Sequence, residues 1–151
     1  MTGKYYEELQ VGEVYRHAIS RTVSEMDNVL FTTLTLNPQP LHLDEEFGKR
    51  SIYGTRIVNS LFTLGLVVGI SVSDLTLGTT LGNLGFEEVR FPAPVRHGDT
   101  IYAETEVISK RESKSRPEAG IVVFEHRGRN QNDELVCRCR RVAYMMRAPV
   151  E

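Results

Sequence analysis

Residues 31–70 read FTTLTLNPQPLHLDEEFGKRSIYGTRIVNSLFTLGLVVGI. The two halves of this stretch differ in chemistry. The first carries a polar loop, Asn37-Pro38-Gln39-Pro40-Leu41-His42, in which two prolines lock their own φ angles. The second, from Ile57 to Ile70, is apolar on every side of a helical projection, and a helix of that kind is expected to be buried all round. Its span is expected at about 56–73. Gly65 and Gly69 share one face of it, which suggests the close approach of another backbone.

Working outward, Ser24 precedes Glu25-Met26-Asp27, an N-cap followed by acids in the first turn, with Asp27 placed to complete a capping box. Met26, Val29, Leu30 and Thr33 recur at helical spacing and predict a helix over about 25–35. Pro38 ends it, because the residue before a proline is pushed out of the α region. Upstream, residues 14–23 predict a first strand. Downstream the period changes to two: strands are expected at 81–91, 100–109, 120–130 and 135–146, separated by Pro- and Gly-rich turns and a polar loop. Strands collected behind one apolar helix predict an α+β domain, a single unit over 1–151, with an antiparallel sheet curled around the helix. One sheet covers one side of a helix, so the remainder predicts a homodimer or a dimer-based assembly.

Composition narrows the function classes. The chain has 151 residues, 40% hydrophobic and 25% charged, with a net charge of −2. That balance gives no pull toward nucleic acid or an anionic membrane. The apolar helix is shorter than the roughly 20 residues a membrane span needs. Residues 1–10 show no apolar signal region, and the cytoplasm is the expected location. Cys137 and Cys139 would lie about 6.5–7 Å apart on one strand face, at the limit of disulfide reach, and read as small core residues. No metal-ligand cluster, phosphate loop or nucleophile elbow is present in the sequence, so neither metal nor cofactor is expected.

His42 is the leading candidate for chemistry, since imidazole titrates near neutrality and here sits on a stiffened loop ahead of the core helix. Asn37 offers a hydrogen bond but no base. Asp44 either orients His42 or caps the next turn. Asn59 and Ser60 stand at the start of the apolar helix, as caps or as donors to a developing oxyanion. Lys114 and Arg116 lie in a basic loop suited to phosphates. His126 with Arg138 and Arg140 offers a second anion site or ordinary surface, and His17 and His97 show no pattern.

Three blocks, N-P-Q-P-L-H-L-D, R-I-V-N-S-L-F and V-R-F-P-A-P-V-R-H-G-D-T, together resemble the MaoC-like dehydratases, the R-specific enoyl-CoA hydratases of hot-dog fold. The resemblance covers about residues 10–147. It implies a long helix wrapped by an antiparallel sheet, at least a dimer, and an acyl-CoA thioester as substrate. It places His42 on the family's catalytic histidine and Asn37 where the family has an aspartate. It places Asn59-Ser60 on a His-Gly pair whose glycine N–H holds the thioester oxygen. The N-S-L-F variant resembles a subgroup acting on short, branched or dicarboxylic acyl-CoAs of the mesaconyl, itaconyl or methylmalyl kind, for which Arg56 or Arg90 would meet a second carboxylate. The same fold also hosts acyl-CoA thioesterases, and a non-catalytic acyl-binding subunit is the remaining alternative.

Overall fold

The computed structural model describes residues 3–150. In chain order it contains a short 3-10 turn (Tyr6–Glu8), β1 (Val14–Arg16), β2 (Arg21–Thr22), α1 (Glu25–Leu34), α2 (Pro40–Leu43), α3 (Glu45–Arg50), α4 (Ser60–Ile70), a π-helical turn (Val72–Thr76), β3 (Thr80–Arg90), β4 (Thr100–Glu112), β5 (Ala119–Arg129) and β6 (Leu135–Met146). The strands form one antiparallel sheet in the order β1-β4-β5-β6-β3, with β2 also on β4. The sheet curls around α4, which lies against β4, β5 and β6. This is the α+β architecture that a single apolar helix followed by alternating strands predicts.

The expected strand over 14–23 is two short pieces. Between them His17 turns its ring inward to Asp74 and Thr105, and the ladder on β4 is interrupted there. α4 is also shorter than predicted. After Ile70 the chain passes through Ser71, whose hydroxyl bonds back to the Val68 carbonyl, into the π-helical turn.

Two further expectations about helices are corrected. α4 is not buried all round: Thr63, Val67 and Ile70 are buried while Leu61 is 59% exposed. Among the described residues nothing lies within 4 Å of a Cβ built on Gly65 or Gly69, so they make no close backbone approach there. The close approach falls instead on Gly128 of β5, where a Cβ would stand 2.4 Å from Val67 Cγ2. α1 is rotated relative to its apolar pattern. Met26, Leu30 and Leu34 face outward, whereas Asn28 and Thr32 are the fully buried pair. The helix turns its polar stripe inward, where three acceptors (the His42 and Ile57 carbonyls and His97 Nε2) and the N–H groups of Asn59 meet it. The capping box at its start forms as expected, with Ser24 Oγ accepting from the Asp27 N–H and Asp27 Oδ2 accepting from the Ser24 N–H.

Two residues past the end of α1, Leu36 adopts a left-handed backbone (φ 58°) while its side chain is 89% exposed. A non-glycine residue in that region carries a cost of about 1–2 kcal/mol. That turn delivers Asn37 to its position, with the Asn37 N–H bonded to the Thr32 carbonyl.

The inner face of the sheet holds a one-way chain of buried donors. Arg141 Nε donates to His126 Nε2 (3.2 Å), so the neutral imidazole of His126 carries its proton on Nδ1 and donates to Thr105 Oγ1 (2.8 Å). Thr105 then donates to His17 Nε2 (2.8 Å), and His17 Nδ1 donates to the half-exposed carboxylate of Asp74 (2.8 Å). Burial and the neighbouring Arg141 and His17 push the His126 pKa down to about 3. On the outer face, Glu125 is buried beneath Arg127, Arg138 and Arg140, which hold its carboxyl below the usual carboxylate range. His126 and the Arg138/Arg140 pair therefore face opposite sides of the sheet and form no joint anion site.

Candidate active site

The two proline-flanked turns after α1 bring the His42 loop against the segment that starts α4. Pro40 begins α2 at a position where its missing N–H costs nothing. His42, the third residue of that turn, donates from Nδ1 to the carbonyl of Ile57 at 2.8 Å. A carbonyl oxygen only accepts, so Nδ1 carries a proton, and in the neutral ring Nε2 is the nitrogen that presents its lone pair. The half-buried imidazole is thus oriented and left with a basic nitrogen.

Asn37 forms a local turn, its Oδ1 accepting from the Gln39 N–H at 3.0 Å. The oxygen is thereby committed, and the amide NH2 is the part of Asn37 that remains to donate. Asp44 caps α3 by accepting from the Phe47 N–H at 3.0 Å. Of the two roles open to it in the sequence, the cap is the one with a bond.

At the head of α4, Asn59 is buried and caps the helix, its Oδ1 accepting from the Leu61 N–H at 3.1 Å. Its own N–H donates to Asn28 Oδ1 at 2.9 Å. The Phe62 and Thr63 N–H groups both reach the Asn59 carbonyl. Among the described residues the Ser60 N–H has no such partner. It sits at the positive end of the helix, beside a cavity of about 340 Å³ lined by Tyr53, Ile57, Ser60, Thr63, Val95 and Val136 with the Phe91–Pro94 turn. Pockets that hold small ligands start at about this size. Asn37 and His42 stand outside that lining, and His42 connects to it through the Ile57 carbonyl.

The remaining candidates are dispersed. Arg56 is tied to Glu25 at 2.8 Å and Glu45 at 2.7 Å. Arg90 ends β3, next in the chain to Phe91 of the cavity wall. Lys114 and Arg116 follow β4, at the end of the sheet opposite Val95 and Val136.

Two residues that carry no pattern in the sequence join the site. Asn28, fully buried on α1, holds Nδ2 within reach of the His42 carbonyl (3.2 Å), the Ile57 carbonyl (3.2 Å) and His97 Nε2 (3.0 Å), which share its two N–H groups. His97 accepts there as a neutral ring, its pKa held below the usual value by burial and by the Arg56 charge. The signal available in the sequence was the i, i+4 spacing of Asn28 and Thr32, which reads equally well as a solvated stripe.

The structure brings together His42, the Ser60 N–H at the start of α4 and the adjoining cavity. Comparison with known proteins decides the family, since residues 7–128 match the MaoC like domain. The chain belongs to the MaoC-like domain family. A mesaconyl-CoA hydratase from Cereibacter sphaeroides is 35% identical over 89% of this chain, and the chain spans 38% of that relative's length. The crystal structure of a MaoC-like dehydratase from Rhodospirillum rubrum superposes with a TM-score of 0.85 at 31% identity, covering 98% of this chain and 100% of that one. A double hot-dog protein from Mycobacterium tuberculosis, at 23% identity, gives a TM-score of 0.88 over 99% of this chain and 46% of its own, which shows the hot-dog fold. Among the described residues, no helix of this MaoC-like chain is long and apolar enough to cross a membrane.

Proposed function

We propose that this chain is a hydro-lyase that adds water to, and removes it from, the C2–C3 double bond of an enoyl-CoA thioester. The observation that carries the reading is the His42 Nδ1 bond to the Ile57 carbonyl, which in the neutral ring leaves Nε2 as the basic nitrogen. In the hydration direction Nε2 takes a proton from water, whose oxygen bonds to C3. The electron pair of the double bond moves to C2, and charge develops on the thioester oxygen. The Ser60 N–H, at the head of α4, is the donor for that oxygen. The proton then passes from Nε2 to C2, which restores the imidazole and balances the reaction. Asn37 orients the water through its amide NH2. Coenzyme A enters as part of the substrate, and the steps described call on no separate cofactor.

A short, branched or dicarboxylic acyl group is the substrate class, supported by the likeness to the mesaconyl-CoA hydratase and by the modest cavity. With Arg56 engaged by two carboxylates, Arg90 beside the cavity wall is the arginine proposed to meet a distal carboxylate. The working unit is a homodimer or a dimer-based assembly. Strand β3 pairs with β6 alone among the described strands, and Leu61, Leu81, Leu84 and Phe86 are exposed apolar side chains that a second copy would cover.

The test is a panel of enoyl-CoAs including mesaconyl-CoA and crotonyl-CoA, followed by enoyl-thioester absorbance, with free thiol measured in parallel. Loss of absorbance without thiol release supports hydration. Thiol release supports the thioesterase reading, and binding without either change supports a non-catalytic subunit.

A further inference from the structure

We infer that Asn28 is the positioning residue that sets the His42 imidazole and the Ser60 N–H in register with each other, an inference that rests on the hydratase reading above. The side chain belongs to α1 and touches neither Nε2 of His42 nor the Ser60 N–H. It acts through what it holds. Its Nδ2 lies 3.2 Å from the His42 carbonyl and 3.2 Å from the Ile57 carbonyl, the latter being the acceptor that orients the His42 ring. Its Oδ1 lies 2.9 Å from the Asn59 N–H. The base loop and the head of α4 are thus fastened to opposite ends of one amide.

The fastening also selects which N–H is left over. The Asn59 and Leu61 N–H groups are taken by Asn28 Oδ1 and Asn59 Oδ1, which leaves the Ser60 N–H as the one facing the cavity. Thr32 closes the arrangement from the next turn of α1, accepting from Asn59 Nδ2 at 3.3 Å and donating to Asn28 Oδ1 at 3.4 Å. Both Asn28 and Thr32 are fully buried, so water does not substitute for either.

Asparagine is the side chain the site demands. Three acceptors surround Nδ2 and two donors surround Oδ1. Aspartate has the same shape but turns an oxygen toward the three acceptors. Alanine removes the shared amide and leaves the buried Asn59 N–H without its acceptor, while the Ile57 carbonyl keeps only His42, and glutamine is one methylene too long for a fully packed position.

The experiment compares wild type, Asn28→Ala and Asn28→Asp, with Leu75→Ala as a control. Leu75 is buried in the separate cluster with Leu9 and Met145, away from the α1–α4 contact, so its loss destabilises without reaching the brace. Rates with crotonyl-CoA and mesaconyl-CoA are read well below each variant's Tm, together with the 15N spectrum of the histidine rings. The chain has four histidines, and His42→Gln identifies the His42 signals. The expected result is a kcat loss on the order of a hundredfold in both Asn28 variants with KM little changed. The His42 tautomer moves from Nδ1–H toward Nε2–H in both, while Leu75→Ala retains wild-type kcat and the Nδ1–H form. An unchanged His42 tautomer in the Asn28 variants overturns the inference, as does a kcat no lower than that of Leu75→Ala. If wild type hydrates neither thioester, the hydratase reading falls. The spectra then decide the brace by themselves, a retained Nδ1–H form overturning it and a lost one upholding it.

Discussion

His42 and Asn28 donate to the same acceptor, the carbonyl oxygen of Ile57, at 2.8 Å and 3.2 Å. One backbone carbonyl therefore both orients the ring of the proposed base and ties it to α1. Removing the ring removes the base and leaves the carbonyl with a partner.

His42→Ala is accordingly expected to lower hydration by about a thousandfold while costing only about 1 kcal/mol of stability. Enoyl-thioester absorbance and thermal unfolding check the two halves of this statement. A variant that still hydrates at the wild-type rate would remove His42 from the mechanism.

Asn37→Asp preserves the turn, because an aspartate oxygen accepts the Gln39 N–H as the amide oxygen does. It loses the NH2 that is proposed to donate to water. The hydration rate at neutral pH is expected to drop about tenfold, in line with loss of one orienting hydrogen bond. A faster enzyme would instead mark Asn37 as a position where a carboxylate base serves better.

Stability is expected to fall as pH drops below about 6.5, the ordinary histidine value. His126 and His97 are both held neutral in the fold, with pKa values below that of an unfolded chain, His126 at about 3. In the acid range the unfolded state binds protons that the folded state refuses. The stabilisation is therefore complete above the unfolded pKa, declines as the pH falls toward 3, and for His126 amounts to about 1.4 kcal/mol per pH unit across that window. Urea midpoints between pH 7 and pH 4 measure it. His126→Phe should flatten the slope.

Leu36→Gly is expected to stabilise the protein by about 1 kcal/mol, because glycine adopts the left-handed backbone without the Cβ penalty. The leucine side chain is 89% exposed, so little burial is lost. Thermal unfolding gives the sign directly.

The strands β3 to β6 were legible from residues 81–146 because a half-buried sheet writes its period of two into the sequence. The cap at Ser24 and the cap at Asp44 were legible because both are local bonds spanning three residues. The orientation of α1 was not. Met26 and Leu30 recur at helical spacing, yet the buried face is Asn28 and Thr32, whose partners Ile57 and Asn59 lie about thirty residues away. The buried chain from Arg141 to Asp74 was hidden for the same reason, since it joins four separate elements and each member alone looks like a surface group. His42 and Ser60 stood out because a rigid loop and a helix start are sequence features. The amide that links them is a tertiary one.

β4 runs thirteen residues from Thr100 to Glu112, about 40 Å of extended chain, and separates the cavity end of the sheet from the basic loop that holds Lys114 and Arg116. If that loop grips the phosphates of coenzyme A, it serves a neighbour's substrate rather than its own. Co-expressed subunits would then rescue one another, a copy lacking His42 supplying the basic loop to a copy lacking Lys114 and Arg116, with one working centre recovered per mixed pair.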